Sequence, residues 1–138
     1  MQIQNISYQK RIALTHIVMD ILEHWKIAAK DQINILDLPK STRTRTLRRY
    51  HESTPLPEEA NVMERIDHLL GIAEALRTTY PMNYDMTSRW INTAHRRFNN
   101  RSPLETMLED GLDGLTSVRI HLDCAYAWGL TDEKKVET

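Results

Sequence analysis

Four arginines fall within seven residues of this chain, Arg43, Arg45, Arg48 and Arg49, with Lys40 and Ser41 just ahead of them. Thr42, Thr44 and Thr46 are interleaved with these, and Leu47 is the apolar residue among them. The chemistry this mixture suits is contact with a duplex. Guanidinium groups pair with phosphates or with the acceptor edge of guanine, hydroxyls donate to phosphates, and an apolar residue anchors the helix from behind. No acidic residue occurs between Lys40 and His51. The candidate DNA-contacting set is therefore Lys40, Ser41, Thr42, Arg43, Arg45, Arg48 and Arg49. The competing reading is a solvated basic face, the commoner fate of charge-rich helices.

Other reactive groups make weaker patterns. His121-x-Asp123, with Cys124 adjacent, is the tightest cluster among six histidines. On a helix, residues two apart diverge by about 200°, so His121 and Asp123 do not share an ion. His16 and His24 are eight residues apart, and neither a HExxH motif nor paired cysteines occur. Glu105 and Glu109 share a helical face in the manner of an acid/base pair, but Glu105 is better used as a cap and both are expected in solvent. Neither a glycine-rich phosphate loop nor a Gly-x-Ser-x-Gly elbow is present. No catalytic residue, metal or cofactor is expected.

The elements that must carry these residues read as helices. In 138 residues there are only four glycines and one phenylalanine, while 41% of residues are hydrophobic and 27% charged. That balance favours an all-α chain with a core over a sandwich, a barrel or a disordered protein. One cysteine fits a reducing compartment, no apolar run reaches the length of a membrane span, and the N-terminus lacks a signal-peptide layout. The expectation is a soluble, cytoplasmic protein. Its net charge of −1 conceals a division: residues 1–51 hold nine basic and four acidic side chains, +5, and residues 52–138 hold nine and fifteen, −6. Such asymmetry hints at two different partners.

Helical spacing from Tyr8 to about His24 places Ile12, Ala13, His16 or Ile17, Met19 or Asp20, and Ile21 or Leu22 on one stripe, with Trp25 closing the segment. Asp31 is expected to cap a helix over 32–38 that Pro39 ends. After a tight turn at Pro39-Lys40-Ser41, Ser41 or Thr42 caps a third helix, with Leu47 and Tyr50 facing inward. This layout is a helix-turn-helix. Pro55 and Pro57 mark the expected boundary, giving modules of 1–53 and 54–138. The second module opens with a helix over 58–79 carrying Met63, Ile66, Leu69, Leu70, Ala73 and Leu76. Asp85 caps a helix with Met86, Trp90 and Ile91. Ser102-Pro103-Leu104-Glu105 is a capping box with proline at the first helical position. That helix ends at Gly111, and a last one carries Leu115, Val118, Leu122 and Ala125, with a frayed tail from about residue 129.

The run Leu69-Leu70-Gly71-Ile72, Trp90, Phe98-x-x-Arg101-Ser102-Pro103-Leu104-Glu105-x-Met107-Leu108, then Gly111-Leu112-x-Gly114-Leu115-x-x-Val118-Arg119-x-x-Leu122-Asp123, resembles a known family. It is similar to the toxin-binding domain of the MbcA/ParS/Xre antitoxins. Upstream, Trp25-Lys26-Ile27, Gln32, Ile35-Leu36, Thr46-Leu47 and Arg49-Tyr50 resemble the Xre-type helix-turn-helix that precedes that domain in many members. The chain departs from the family pattern at Ala94-His95, where members carry Pro-Asn, at Asn100, where they carry glycine, and at Asp110. Asparagine tolerates the left-handed conformation, so the turn at Asn100 is expected to survive.

The resemblance implies a type II toxin–antitoxin system. The partner would be a RES-domain toxin that attacks NAD⁺ or a ParT-type toxin that ADP-ribosylates a target. The antitoxin would occlude the toxin's active site and repress its own operon as a DNA-bound homodimer, with no role for a membrane. Trp90, Phe98, Arg101, Ser102, Arg119, Asp123 and Trp128 are the implied toxin-binding residues. The alternative is a stand-alone helix-turn-helix regulator whose C-terminal half only dimerises.

Overall fold

A computed structural model describes residues 7–131, with the side chains of 125–131 left undescribed. The fold is all-α. Seven helices are described: α1 (Tyr8–His24), α2 (Ala29–Ile35), α3 (Thr44–Glu52), α4 (Ala60–Thr79), α5 (Tyr84–Ile91), α6 (Pro103–Asp110) and α7 (Leu112–Thr131), with a 3-10 turn at Arg96–Phe98. No helix among the described residues is long and apolar enough to cross a membrane. The chain divides into two compact units between Asp67 and His68.

In the first unit, Ser7 caps α1 by accepting from the Lys10 N–H. α1 buries Thr15, Val18, Met19 and Leu22, while Ala13 and Ile17 of the expected stripe are exposed. The buried face is therefore rotated from the expected one. The reason is Thr15, whose Oγ1 accepts from the Leu56 N–H at 2.8 Å. Arg11 donates to the Leu56 carbonyl at 3.2 Å and pairs with Glu58 at 3.5 Å. The segment Pro55-Leu56-Pro57, expected as a module boundary, is thus fastened to α1, with Leu56 buried. The division lies further on than residue 53, within α4.

α1 and α2 both stop without glycine. Beyond α1, Lys26 takes φ 61°, the Lys26 N–H reaches the Glu23 carbonyl, and the Ile27 N–H reaches that of Leu22. Beyond α2, Asp37 takes φ 58°, with the Asp37 N–H on Asn34 and the Leu38 N–H on Ile33. Each pair of bonds is a Schellman motif, and the next residue, Ile27 or Leu38, is buried as the motif's apolar contact. α2 therefore occupies 29–35, with Ala28 at its N-cap and Asp31 in its first turn, not 32–38 capped by Asp31. α3 opens at Arg43 with no side-chain cap, so neither Ser41 nor Thr42 caps it. Eight residues, 36–43, join α2 to α3 where a tight turn was expected.

The second unit buries Leu69, Ile72 and Leu76 of α4, Ile91 of α5, Phe98, Met107 of α6, and Leu115, Val118 and Leu122 of α7. Along α4 as a whole the buried stripe is Val62, Ile66, Leu69, Ile72 and Leu76, and Met63, Leu70 and Ala73 are half-buried. Asn83 occupies the N-cap position of α5 without a side-chain cap bond, and Asp85 lies in the first turn rather than at the cap. α6 matches its expectation closely. The Glu105 N–H donates to Ser102 Oγ at 3.0 Å, Glu105 Oε1 accepts from the Ser102 N–H at 2.8 Å, and Pro103 opens the helix. Gly111, at φ 62° and ψ −135°, ends α6 in a backbone conformation that side chains disfavour. α7 runs through Trp128 and Gly129 to Thr131, past the expected start of fraying. Residues 132–138 and the side chain of Ala125 lie outside the described residues.

Candidate functional site

The first candidate surface belongs to α3 and the segment before it. Leu47 and Tyr50 are buried, as expected, and pin the helix against the core of the first unit. Burial, and then the charge of Glu59, push the Tyr50 phenol above its usual range, so it stays neutral. With that face fixed, the opposite one is set by helical geometry. Lys40, Ser41, Arg43, Arg45, Arg48 and Arg49 are exposed and Thr42 is half-buried. Among the described residues none of these five cations takes part in an ion pair. No acidic side chain among the described residues supplies their counter-charge. A cleft of about 590 Å³ runs between α2 and the start of α3, and Lys30, Lys40, Thr42 and Thr44 line it. Asp31 and Asp37 line the same cleft, so its charge is mixed, and Lys30 is a cation there that sequence spacing did not single out.

The second candidate surface is built around an aromatic cluster of the second unit. His121 of α7 stacks on Trp90 of α5, with ring centroids 6.0 Å apart and planes at 6°. Phe98 meets both edge-on, at 5.4 Å from His121 and 6.4 Å from Trp90. His95 completes the group at 5.1 Å from Trp90. Edge-to-face and offset contacts of this kind suit the ring quadrupoles. Burial, then the charges of Arg97 and His95, hold the His121 pKa below its ordinary value. His95 was not a candidate in the sequence, because nothing local marks a histidine that a loop folds onto a tryptophan.

That loop is closed by backbone pairing. The His95 N–H donates to the Arg101 carbonyl and the Asn100 N–H to that of His95, both at 3.0 Å. Asn99 and Asn100 stand at φ 61° and 64°, so the left-handed turn expected at Asn100 is present and includes its neighbour. Arg101 leaves the loop towards α6. It donates to Glu109 at 3.0 Å and to both oxygens of Asp110, at 3.1 and 3.0 Å. These bonds raise the arginine pKa and lower that of Asp110. Glu109, expected to be free in solvent, is a partner of this network.

The residues singled out for partner binding divide accordingly. Trp90 and Phe98 come together in the aromatic cluster, Trp90 half-buried and Phe98 buried. Ser102 is buried as the α6 cap. Arg101 is held by Glu109 and Asp110, Arg119 approaches His68 Nδ1 at 3.3 Å, and Asp123 is exposed. Trp128 falls on α7, and its side chain lies outside the described residues. A cleft of about 640 Å³ opens beside the cluster, with Arg97, Arg101, Asp110, Ile120, His121 and Cys124 among its walls. Among the described residues no group of three or more His, Cys, Asp or Glu side chains gathers where a metal ion would bind.

No protein-family model matches the chain. It is similar to the uncharacterized protein y4oB of Sinorhizobium fredii, 29% identical over 103 residues, which cover 75% of this chain and 76% of that protein.

Proposed function

We propose that this chain is the antitoxin of a bacterial type II toxin–antitoxin system. Its second unit binds a cognate toxin of RES or ParT type and occludes the active site. Its first unit represses the shared operon by binding operator DNA, and the working form is a cytoplasmic homodimer within the toxin–antitoxin complex. The observation that carries this reading is a coincidence of position. The residues on which the resemblance rests build the second unit: Gly71 lies beneath Arg119, Ser102 caps α6, and Gly111 and Gly114 form the α6–α7 junction. The cations of α3, which form no ion pair among the described residues, support the DNA-binding arm, since phosphate contacts dominate affinity for a duplex. The excess of acidic side chains in residues 52–138 suits a toxin pocket built to hold a phosphorylated cofactor.

The test is co-expression with the product of the adjacent gene. Restored growth and a co-purifying complex are the expected results. A toxic neighbour that this chain neither binds nor neutralises overturns the reading, and sequence-specific DNA binding without neutralisation would favour a stand-alone regulator.

A further inference from the structure

The face of α3 divides its arginines by direction. Leu47 and Tyr50 are both buried, so the inward direction bisects them. Counting about 100° per residue from Leu47, Tyr50 lies at about 300°, which places the outward direction near 150°. Arg45 then points at about 160°, almost straight outward, while Arg48 at about 100° and Arg49 at about 200° flank it on either side. Glu52 shares the outward stripe two turns further on, at the last residue of the helix. Arg45 is in the first turn of α3, and all three arginines are exposed.

A helix lying in a major groove turns its outermost residues to the floor, where base edges are, and its flanks to the phosphate walls. Base contacts in helix-turn-helix proteins come from the N-terminal residues of the second helix, and α3, although eight residues rather than a tight turn join it to α2, exposes Arg45 in its own first turn. Resting on the DNA-binding reading above, we propose that Arg45 is the base-reading residue of this chain. It pairs in bidentate fashion with the O6 and N7 acceptors of guanine. Arg48 and Arg49 hold the phosphates of the two opposing strands. Lys40 and Arg43, ahead of the helix, add phosphate contacts without reading sequence.

The experiment is selection from a library of random DNA duplexes with the full chain, followed by binding titrations at several salt concentrations. The wild type enriches a motif containing guanine. Arg45→Ala removes the preference at that guanine and lowers the ratio of specific to random-duplex affinity about tenfold or more. Arg45→Lys keeps the charge and restores affinity for random duplex but not the preference. Arg48→Ala and Arg49→Ala weaken both duplexes alike and reduce the salt slope by about one each. Retention of the motif by Arg45→Ala, while wild type still selects it, overturns the assignment of Arg45 alone. Failure of the wild type to bind any duplex in a salt-dependent way overturns the DNA-binding reading, and the assignment falls with it.

Discussion

Arg119 of α7 lies across Gly71 of α4 so closely that a Cβ on Gly71 would collide with its guanidinium. The same guanidinium reaches His68 Nδ1 at 3.3 Å, one turn earlier on α4. A glycine within a helix costs about 1 kcal/mol relative to alanine, and here it makes room for the arginine. Gly71→Ala therefore has opposing effects: it gains helix propensity and displaces the flexible end of Arg119. The expected outcome is a change in unfolding free energy below about 0.5 kcal/mol in the wild type but a gain of about 1 kcal/mol in an Arg119→Ala background. Urea unfolding of the four proteins of this cycle measures the difference. Equal effects in both backgrounds would mean that the two residues are not coupled.

Gly114 is a stricter case. A Cβ there would strike the backbone carbonyl of Thr106, and backbone cannot swing aside as an arginine tip can. Thr106 is itself fixed, since both its N–H and its hydroxyl donate to the Ser102 carbonyl at 3.0 Å. Gly114→Ala must force α6 and α7 apart and is expected to destabilise by about 3 kcal/mol, at the upper end for overpacking. Gly111→Ala meets open space and carries only the backbone penalty, about 1–3 kcal/mol. Thermal unfolding that ranked Gly111→Ala below Gly114→Ala in stability would contradict this account.

These contacts show what was legible in the sequence and what was not. The α6 cap could be read because Ser102, Pro103 and Glu105 act within four residues. Leu47 and Tyr50 could be read as inward because they are the apolar residues of an otherwise polar helix. The face of α1 could not. It is set by Thr15 and Arg11, whose partners at Leu56 lie 41 and 45 residues away, and these leave Ile17 exposed. The joining of Trp90, His95, Phe98 and His121 depends on a loop closed by His95 and Arg101, and local pattern carries no trace of that pairing. The direction of Arg101 was hidden in the same way: its carboxylate partners Glu109 and Asp110 stand on the following helix.

The aromatic cluster gives the protein a pH dependence with a definite sign. The folded-state pKa of His121 is depressed, first by burial and then by Arg97 and His95. The unfolded chain therefore binds the proton more readily than the folded one. Stability is complete above the unfolded histidine pKa of about 6.5 and falls as pH drops from there towards the folded value. His121→Phe keeps a ring against Trp90 and removes the titration. Denaturant midpoints at pH 7.5 and 5.5 should therefore fall further for the wild type than for the variant. Equal falls would assign the pH dependence to other groups.

The ends of α1 and α2 lead to the remaining prediction. Both helices close with Schellman motifs, yet the left-handed positions hold Lys26 and Asp37 where glycine is usual. The end of α1 at His24 is legible from its spacing, whereas Pro39, the stop expected for α2, lies beyond its true end at Ile35. For an L-residue this conformation costs about 1–2 kcal/mol, which glycine avoids. At Asp37 the side chain has another use: it accepts from Asn61 Nδ2 at 2.8 Å and lies 3.8 Å from Arg65 on α4. Lys26 is exposed, and its side chain has no such bond among the described residues. Lys26→Gly is accordingly expected to raise the unfolding free energy by about 0.5–1 kcal/mol, the greater freedom of glycine in the unfolded chain taking back part of the gain. Asp37→Gly relieves the same strain but loses both contacts to α4, so it should gain less than Lys26→Gly or destabilise. Urea titrations of the two variants beside the wild type decide the matter. A loss of stability in Lys26→Gly would show that this backbone conformation is not what strains the end of α1.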